Sequence, residues 1–169
     1  MLGLYENFPK NPHRTVHFDT LISSKRLQDV LIQIFYHLIS QSLDIEEVAN
    51  PSIPRCTVFF EFGIGEVNNF NFIDHKEKDR VLKTIQKKSF QIMDFLCSIR
   101  YYKMRNGRKT PLRFDYYMLR FIFDKNTMDI QVFHERGPMY ISPEDVIRFI
   151  GNRINEKFSK RILRASEVY

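Results

Sequence analysis

The sequence predicts an α+β protein. Its expected core is a two-layer arrangement, a mostly antiparallel sheet of about five strands in the order β-α-β-α-β-β-β-α, covered by helices that include a long C-terminal one. Three observations predict this. Asn106-Gly107, set between alternating stretches, is a type I′ hairpin signal, because both central residues of that turn need positive φ. Leu27, Val30, Leu31, Ile34, Leu38 and Ile39 recur at helical spacing. Ser142-Pro143-Glu144-Asp145 reads as a helix start: a cap, a proline in the first turn, then acids.

Taken in order, residues 1–12 are an extended lead-in. Residues 13–22 alternate, with Val16, Phe18, Thr20 and Ile22 on one face, and predict a strand. Ser23 or Ser24 caps a helix over 25–42. Pro51 and Pro54 end that region, since neither fits inside a helix. Residues 55–64 predict a second strand through Cys56, Val58, Phe60, Phe62 and Ile64. Residues 65–71 read as a polar loop and 75–88 as a short basic helix. Residues 89–99 fit a helix or a strand. Pairing outward from Asn106-Gly107 sets Met104 against Lys109, Tyr101 against Leu112 and Ile99 against Phe114. Pro111 then falls at a pair that needs no N–H. Lys125-Asn126 predicts a second turn into a strand at 128–135. Phe114 and Tyr116 face one way while Tyr117, Leu119, Phe121 and Phe123 face the other. A bulge near Tyr116–Tyr117 or cover on both sides of the strand would reconcile them. Val146, Phe149, Ile150, Ile154, Phe158 and Ile162 form the apolar stripe of the last helix.

The chain has 169 residues, enough for one domain over 1–169, and 43% of them are hydrophobic, enough for an ordinary core. Cys56 and Cys97 stand apart, without zinc-knuckle or disulfide spacing, and predict small apolar core residues in a reducing cytoplasm. No secretory leader and no membrane-spanning run is read. No cofactor motif occurs: the glycine-rich pattern at 63–68 fails at Asn68, and neither a P-loop lysine nor a nucleophile elbow is present.

The formal charge of +6 favours polyanionic partners. Lys103, Arg105, Arg108 and Lys109 crowd the hairpin tip without an acid among them, and Arg113 follows. Arginines with exposed tyrosines on a sheet can grip phosphates and stack bases. Arg100, Arg113 and Arg120 are expected on the face away from the core, with Asp115, Asp129 and Glu135 opposing them. Lys76, Lys83 and Lys87 on the 75–88 helix are expected to extend the basic surface. Lys157, Lys160, Arg161 and Arg164 form a stripe on the last helix, which its dipole alone explains. His13, His17, His134 and Glu135 are metal-ligand types without a spacing that converges. Glu61, Asp115 and Glu135 on strands could hold Mg²⁺ in a nuclease, though Glu135-Arg136-Gly137 lacks the lysine of an E-x-K element.

The sequence therefore predicts a binding module rather than an enzyme, with nucleic acid or a ribonucleoprotein as partner. The alternative is a protein-interaction or homodimeric module that buries apolar residues left on the second sheet face. A metal-dependent nuclease is the third reading.

Overall fold

A computed structural model describes residues 3–49 and 55–166. The strands are β1 (Gly3–Leu4), β2 (Arg14–Thr20), β3 (Ser42–Asp44), β4 (Thr57–Gly65), β5 (Asn69–Phe72), β6 (Ile92–Arg105), β7 (Arg108–Pro111), β8 (Asp115–Asp124), β9 (Thr127–Arg136) and β10 (Leu163–Ala165). The helices are α1 (Ser24–Ile39), α2 (His75–Lys87) and α3 (Pro143–Asn155), with a 3₁₀ turn at Ile45–Glu47. All ten described strands join one sheet, ordered β1-β5-β4-β6-β8-β9-β2-β10. β3 pairs with β4 and β7 with β6, and every pairing is antiparallel.

This corrects the expected sheet of about five strands with a long C-terminal helix. The extra strands β1, β3, β5 and β10 are two to four residues long. A period of two cannot declare itself over so few residues. The loop expected at 65–71 holds a turn and β5, which folds back on β4. The ambiguous residues 89–99 open the longest strand, β6, of 14 residues. The breaks expected at Pro51 and Pro54 lie outside the described residues.

The last helix stops at Asn155, well short of Ile162. Asn155 itself turns the chain. Its Oδ1 accepts from the backbone N–H of Ile162 and of Leu163, each at 2.9 Å, and its Nδ2 donates to the Leu163 carbonyl at 3.2 Å. The returning segment then pairs with β2 as β10. Phe158 and Ile162 still reach the core, from a turn rather than from a helical stripe.

The helix caps follow the sequence. Ser23 accepts from Arg26 N at 3.2 Å and Ser142 from Asp145 N at 3.1 Å, while Asp74 caps α2 through Glu77 N at 2.8 Å. α1 and α3 lie on the same side of the sheet. The Phe35 ring of α1 stacks on Phe62 of β4 at 4.0 Å and meets Phe95 of β6 edge-on at 4.9 Å. Phe149 of α3 stacks on Phe60 of the same β4 at 5.5 Å. α2 packs on α1. Buried Gln28 fastens the chain after α2 by donating to Phe90 O at 2.7 Å and accepting from Phe90 N at 2.9 Å.

The lead-in is a strap across the opposite face. Gly3 and Leu4 pair with β5, and Tyr5 N donates to Asn68 O at 3.1 Å. The Tyr5 hydroxyl donates to Asp94, whose carboxylate takes both arms of Arg120 at 2.8 and 2.9 Å. Burial, reinforced by Asp94, pushes the Tyr5 phenol up to about 12, so it stays a donor at neutral pH. Arg120 lies 4.7 Å above the Phe8 ring, and Phe8 closes over Phe70, Leu96 and Met118.

That cover bears on the opposed rings of β8. A register shift does fall between Tyr116 and Tyr117, where Tyr116 faces Arg136 and Tyr117 faces His134. Glu135 is the extra residue, so the bulge belongs to β9. Tyr116 and Met118 nevertheless stay on the strap face. The apolar surplus that suggested a homodimer is thus covered within the chain at Leu96 and Met118.

Phe35 is fully buried and meets three other rings. Phe35→Ala is expected to cost about 3–5 kcal/mol. Chemical denaturation checks it, and an unchanged midpoint would refute the packing described.

Candidate nucleic-acid interface

The hairpin forms in the predicted register. Asn106 and Gly107 have φ of 49° and 76°, and Arg105 faces Arg108, Met104 faces Lys109 and Tyr102 faces Pro111. Leu112 N donates to Tyr101 O at 2.9 Å, which leaves Pro111 at a non-hydrogen-bonded position. Past Leu112 the register slips by one residue. Ile99 faces Asp115, not Phe114, and the extra residue separates β7 from β8.

Asp115 occupies the slip. It points to the helix side and is fully buried, which corrects its expected place beside Arg100. Its Oδ2 accepts from the Tyr101 hydroxyl at 2.7 Å and from Tyr140 N at 2.9 Å. Its Oδ1 accepts from Met139 N at 2.7 Å and lies 2.8 Å from His134 Nε2. Gly137, at φ +112°, lets the connection to α3 pass close by: a Cβ there would sit 2.2 Å from Phe114 O and 2.5 Å from Asp115 Oδ1. Next door, Tyr117 donates its hydroxyl to Ile141 O. Burial pushes the Tyr101 and Tyr117 phenols and the Cys97 thiol up, so all three stay protonated at neutral pH. The cluster holds strands and loop together and has no free functional group. A carboxylate at a core-facing register position, with Tyr101 and Gly137 in range, is the sequence signal for it.

Arg105, Arg108 and Lys109 are exposed at the hairpin tip, and Arg113 is exposed in the break after β7. Lys109 shares the strap face with Met104 and Tyr102. Lys103 alternates to the helix side, where it lines a cleft with Asp44 and Glu46. Lys76, Lys83 and Lys87 are exposed on α2, and Lys83 and Lys87 do not join this surface. Gln91 bonds to Phe123 at the opposite end of β6 from the tip. Fourteen residues at ~3.3 Å each separate those ends by roughly 45 Å. Lys87 precedes Gln91 by only about four residues, so Lys83 and Lys87 lie near that far end. Lys157, Lys160, Arg161 and Arg164 fall beyond α3, in the turn and β10, so they form no helical stripe.

What lies beside the tip is the part of the strap face that the strap leaves open. Phe59 pairs across β4 and β6 with Arg100. Tyr102 meets the Phe59 ring edge-on at 5.3 Å. Lys109 Nζ lies 5.1 Å from the Phe59 centroid and Arg100 5.9 Å. Phe114 and Tyr116 have centroids 6.2 Å apart and planes inclined by 30°, with Arg136 4.2 Å above Tyr116. Glu61 meets Arg100 at 3.4 Å, and the Arg100 Nε hydrogen is buried without an acceptor. Sequence reasoning placed Arg100 here but missed Phe59 and Arg136, which come from distant strands. Arg120, expected with them, is instead engaged with Asp94.

The three carboxylates of the nuclease reading diverge. Glu61 lies on the open face, Asp115 in the buried cluster and Glu135 in the bulge. His13 stacks on Phe133 at 4.4 Å and accepts from His134 N at 2.9 Å, while His17 pairs with Asp129 at 2.7 Å. Among the described residues no three metal-ligand types converge, and no helix is long and apolar enough to cross a membrane. Comparison with protein families, curated proteins and solved structures finds no match.

Asp115→Asn turns one accepting oxygen into a donor facing donors and should cost about 2–4 kcal/mol. Gly137→Ala drives a Cβ into the Phe114 carbonyl at an unfavourable φ and should cost about 3 kcal/mol or more. Urea midpoints test both. Wild-type stability in either variant would mean the cluster carries no such energy.

Proposed function

We propose that this protein is a non-enzymatic nucleic-acid-binding module that holds phosphates with its hairpin tip. The observation that carries the reading is the tip's charge: Arg105, Arg108 and Lys109 are all exposed at one hairpin end, the first two on the helix side and Lys109 on the strap face, with Arg113 nearby and no acid in the turn. The hairpin extends past the core, so these side chains can meet a phosphate backbone without disturbing packing. Three acids temper the surface. Glu61 is neutralised by Arg100, and Asp44 and Glu46 lie beside Lys103 on the other face. The α2 lysines form no part of the proposed site. The two cysteines are free and buried, which suits a reducing compartment such as the cytoplasm.

A protein-interaction role finds less support. Of the exposed large apolar residues, Leu4 and Val67 share the β1–β5 edge, Met104 and Phe114 stand among the cations near the hairpin, and Leu21, Ile92 and Met139 lie elsewhere.

Replacing the exposed Arg105, Arg108 and Lys109 together by Ser should leave stability within about 0.5 kcal/mol per site, because exposed positions tolerate change. Nucleic-acid affinity should fall alike for all sequences. The slope of log affinity against log salt should become shallower by about one for each phosphate that the variant no longer neutralises. Titrations at two salt concentrations read both. Unchanged affinity in this variant would refute a binding role for the tip.

A further inference from the structure

We infer that the open part of the strap face is a base-stacking platform, so that the module takes single strands in preference to duplex. This rests on the nucleic-acid reading above and names its substrate class. The platform is built from Phe59, Tyr102, Phe114 and Tyr116, with Arg100, Lys109 and Arg136 among the rings.

The geometry favours bases. Phe59 on β4 and Phe114 beside β8 flank Arg100 on β6, and two strand spacings set them ~10 Å apart. Each ring can serve one base, and the cation between them can serve the linking phosphate. A duplex hides its base faces in its own stack and offers only edges and phosphates. It would reach the tip but not the rings.

The cations now lie over the rings, and this arrangement suits exchange. An exposed cation–π contact is weaker than a base–aromatic stack. A base arriving on Phe59 displaces Lys109 and Arg100 toward the phosphates, where their charge is better matched. Arg100 gains most, since its Nε hydrogen is buried without an acceptor while it rests against Phe59. The charges among the rings match a polyanion as well: three cations face Glu61 there, and the further acids Glu6 and Glu135 stand only at the cleft beyond Tyr116 and Arg136.

The strap sets the limit of the platform. A cleft of about 430 Å³ runs between strap residues Tyr5 to Asn7 and the pair Tyr116 and Arg136. A strand crossing the platform from the tip therefore stops at this cleft, where Glu6 and Glu135 on its walls repel phosphates.

The chain has no tryptophan, so Tyr102→Trp gives a unique fluorophore on the platform with little change of shape. Oligo-dT and oligo-U of equal length, a duplex of equal charge and heparin would be added to this variant at low salt, with binding followed separately by anisotropy of labelled oligonucleotide. The expected result is quenching by the single strands alone. Phe59→Ala should weaken single-strand binding about tenfold or more, with the salt slope unchanged, because the substitution removes stacking and leaves every charge in place. Single-strand binding without quenching, or duplex bound as tightly as single strand, would overturn the platform and leave the tip reading intact. No binding of any nucleic acid at low salt would overturn both.

Discussion

The buried carboxylate of Asp115 is the constraint on which the upper half of the sheet depends. It stands where three irregularities meet: the slip between β7 and β8, the bulge in β9 and the tight passage at Gly137. The loop after Gly137 leaves two backbone donors outside any ladder, and Asp115 collects them as Met139 N and Tyr140 N. An acid buried in this way is costly unless donors surround both oxygens, and here they do. Because β6 donates Tyr101 and β9 donates His134, the same group locks two strands and the approach to α3. The slip also decides which residues face outward. It puts Asp115 inside and leaves Phe114 and Tyr116 on the strap face.

That face is divided by a second device, the strap. Where Tyr5 and Phe8 reach, the sheet is apolar and closed, tied by the Asp94–Arg120 pair. Where they end, rings alternate with cations and stay open toward the hairpin. A sheet this wide would otherwise present a large apolar surface on the side without helices. The division explains how β6 can be buried on both faces around Leu96 and basic at its end.

Local signals in the sequence proved reliable. The Asn-Gly turn needs only its own two residues to define it, and Ser23 and Ser142 cap helices through bonds within three residues. What depends on distant partners was not legible. Gly3 and Leu4 become a strand only because β5 is there to pair with them. Residues 156–162 leave the helical path because Asn155 bonds the returning chain, an energy invisible to periodicity. β6 is ambiguous in sequence because a strand buried on both faces has no alternation. The site divides in the same way. The tip cations were legible because they are neighbours in sequence. The α2 lysines look equivalent in composition, yet the length of β6 sets Lys83 and Lys87 at the far end of the sheet. Phe59 and Arg136 enter the surface only through strand order, and Asp115 looked like one more surface acid until its register was known.

One continuous surface, from Lys109 at the hairpin tip to the edge of the strap, is proposed to receive a nucleic-acid strand. Two-dimensional NMR of the protein with a short single-stranded oligonucleotide tests it most directly. Upfield shifts of ring protons on Phe59, Tyr102 and Tyr116 are expected, with amide shifts at 103–109 and none at Lys83 or Lys87. Shifts centred on α2, or none on the rings at saturation, would contradict it.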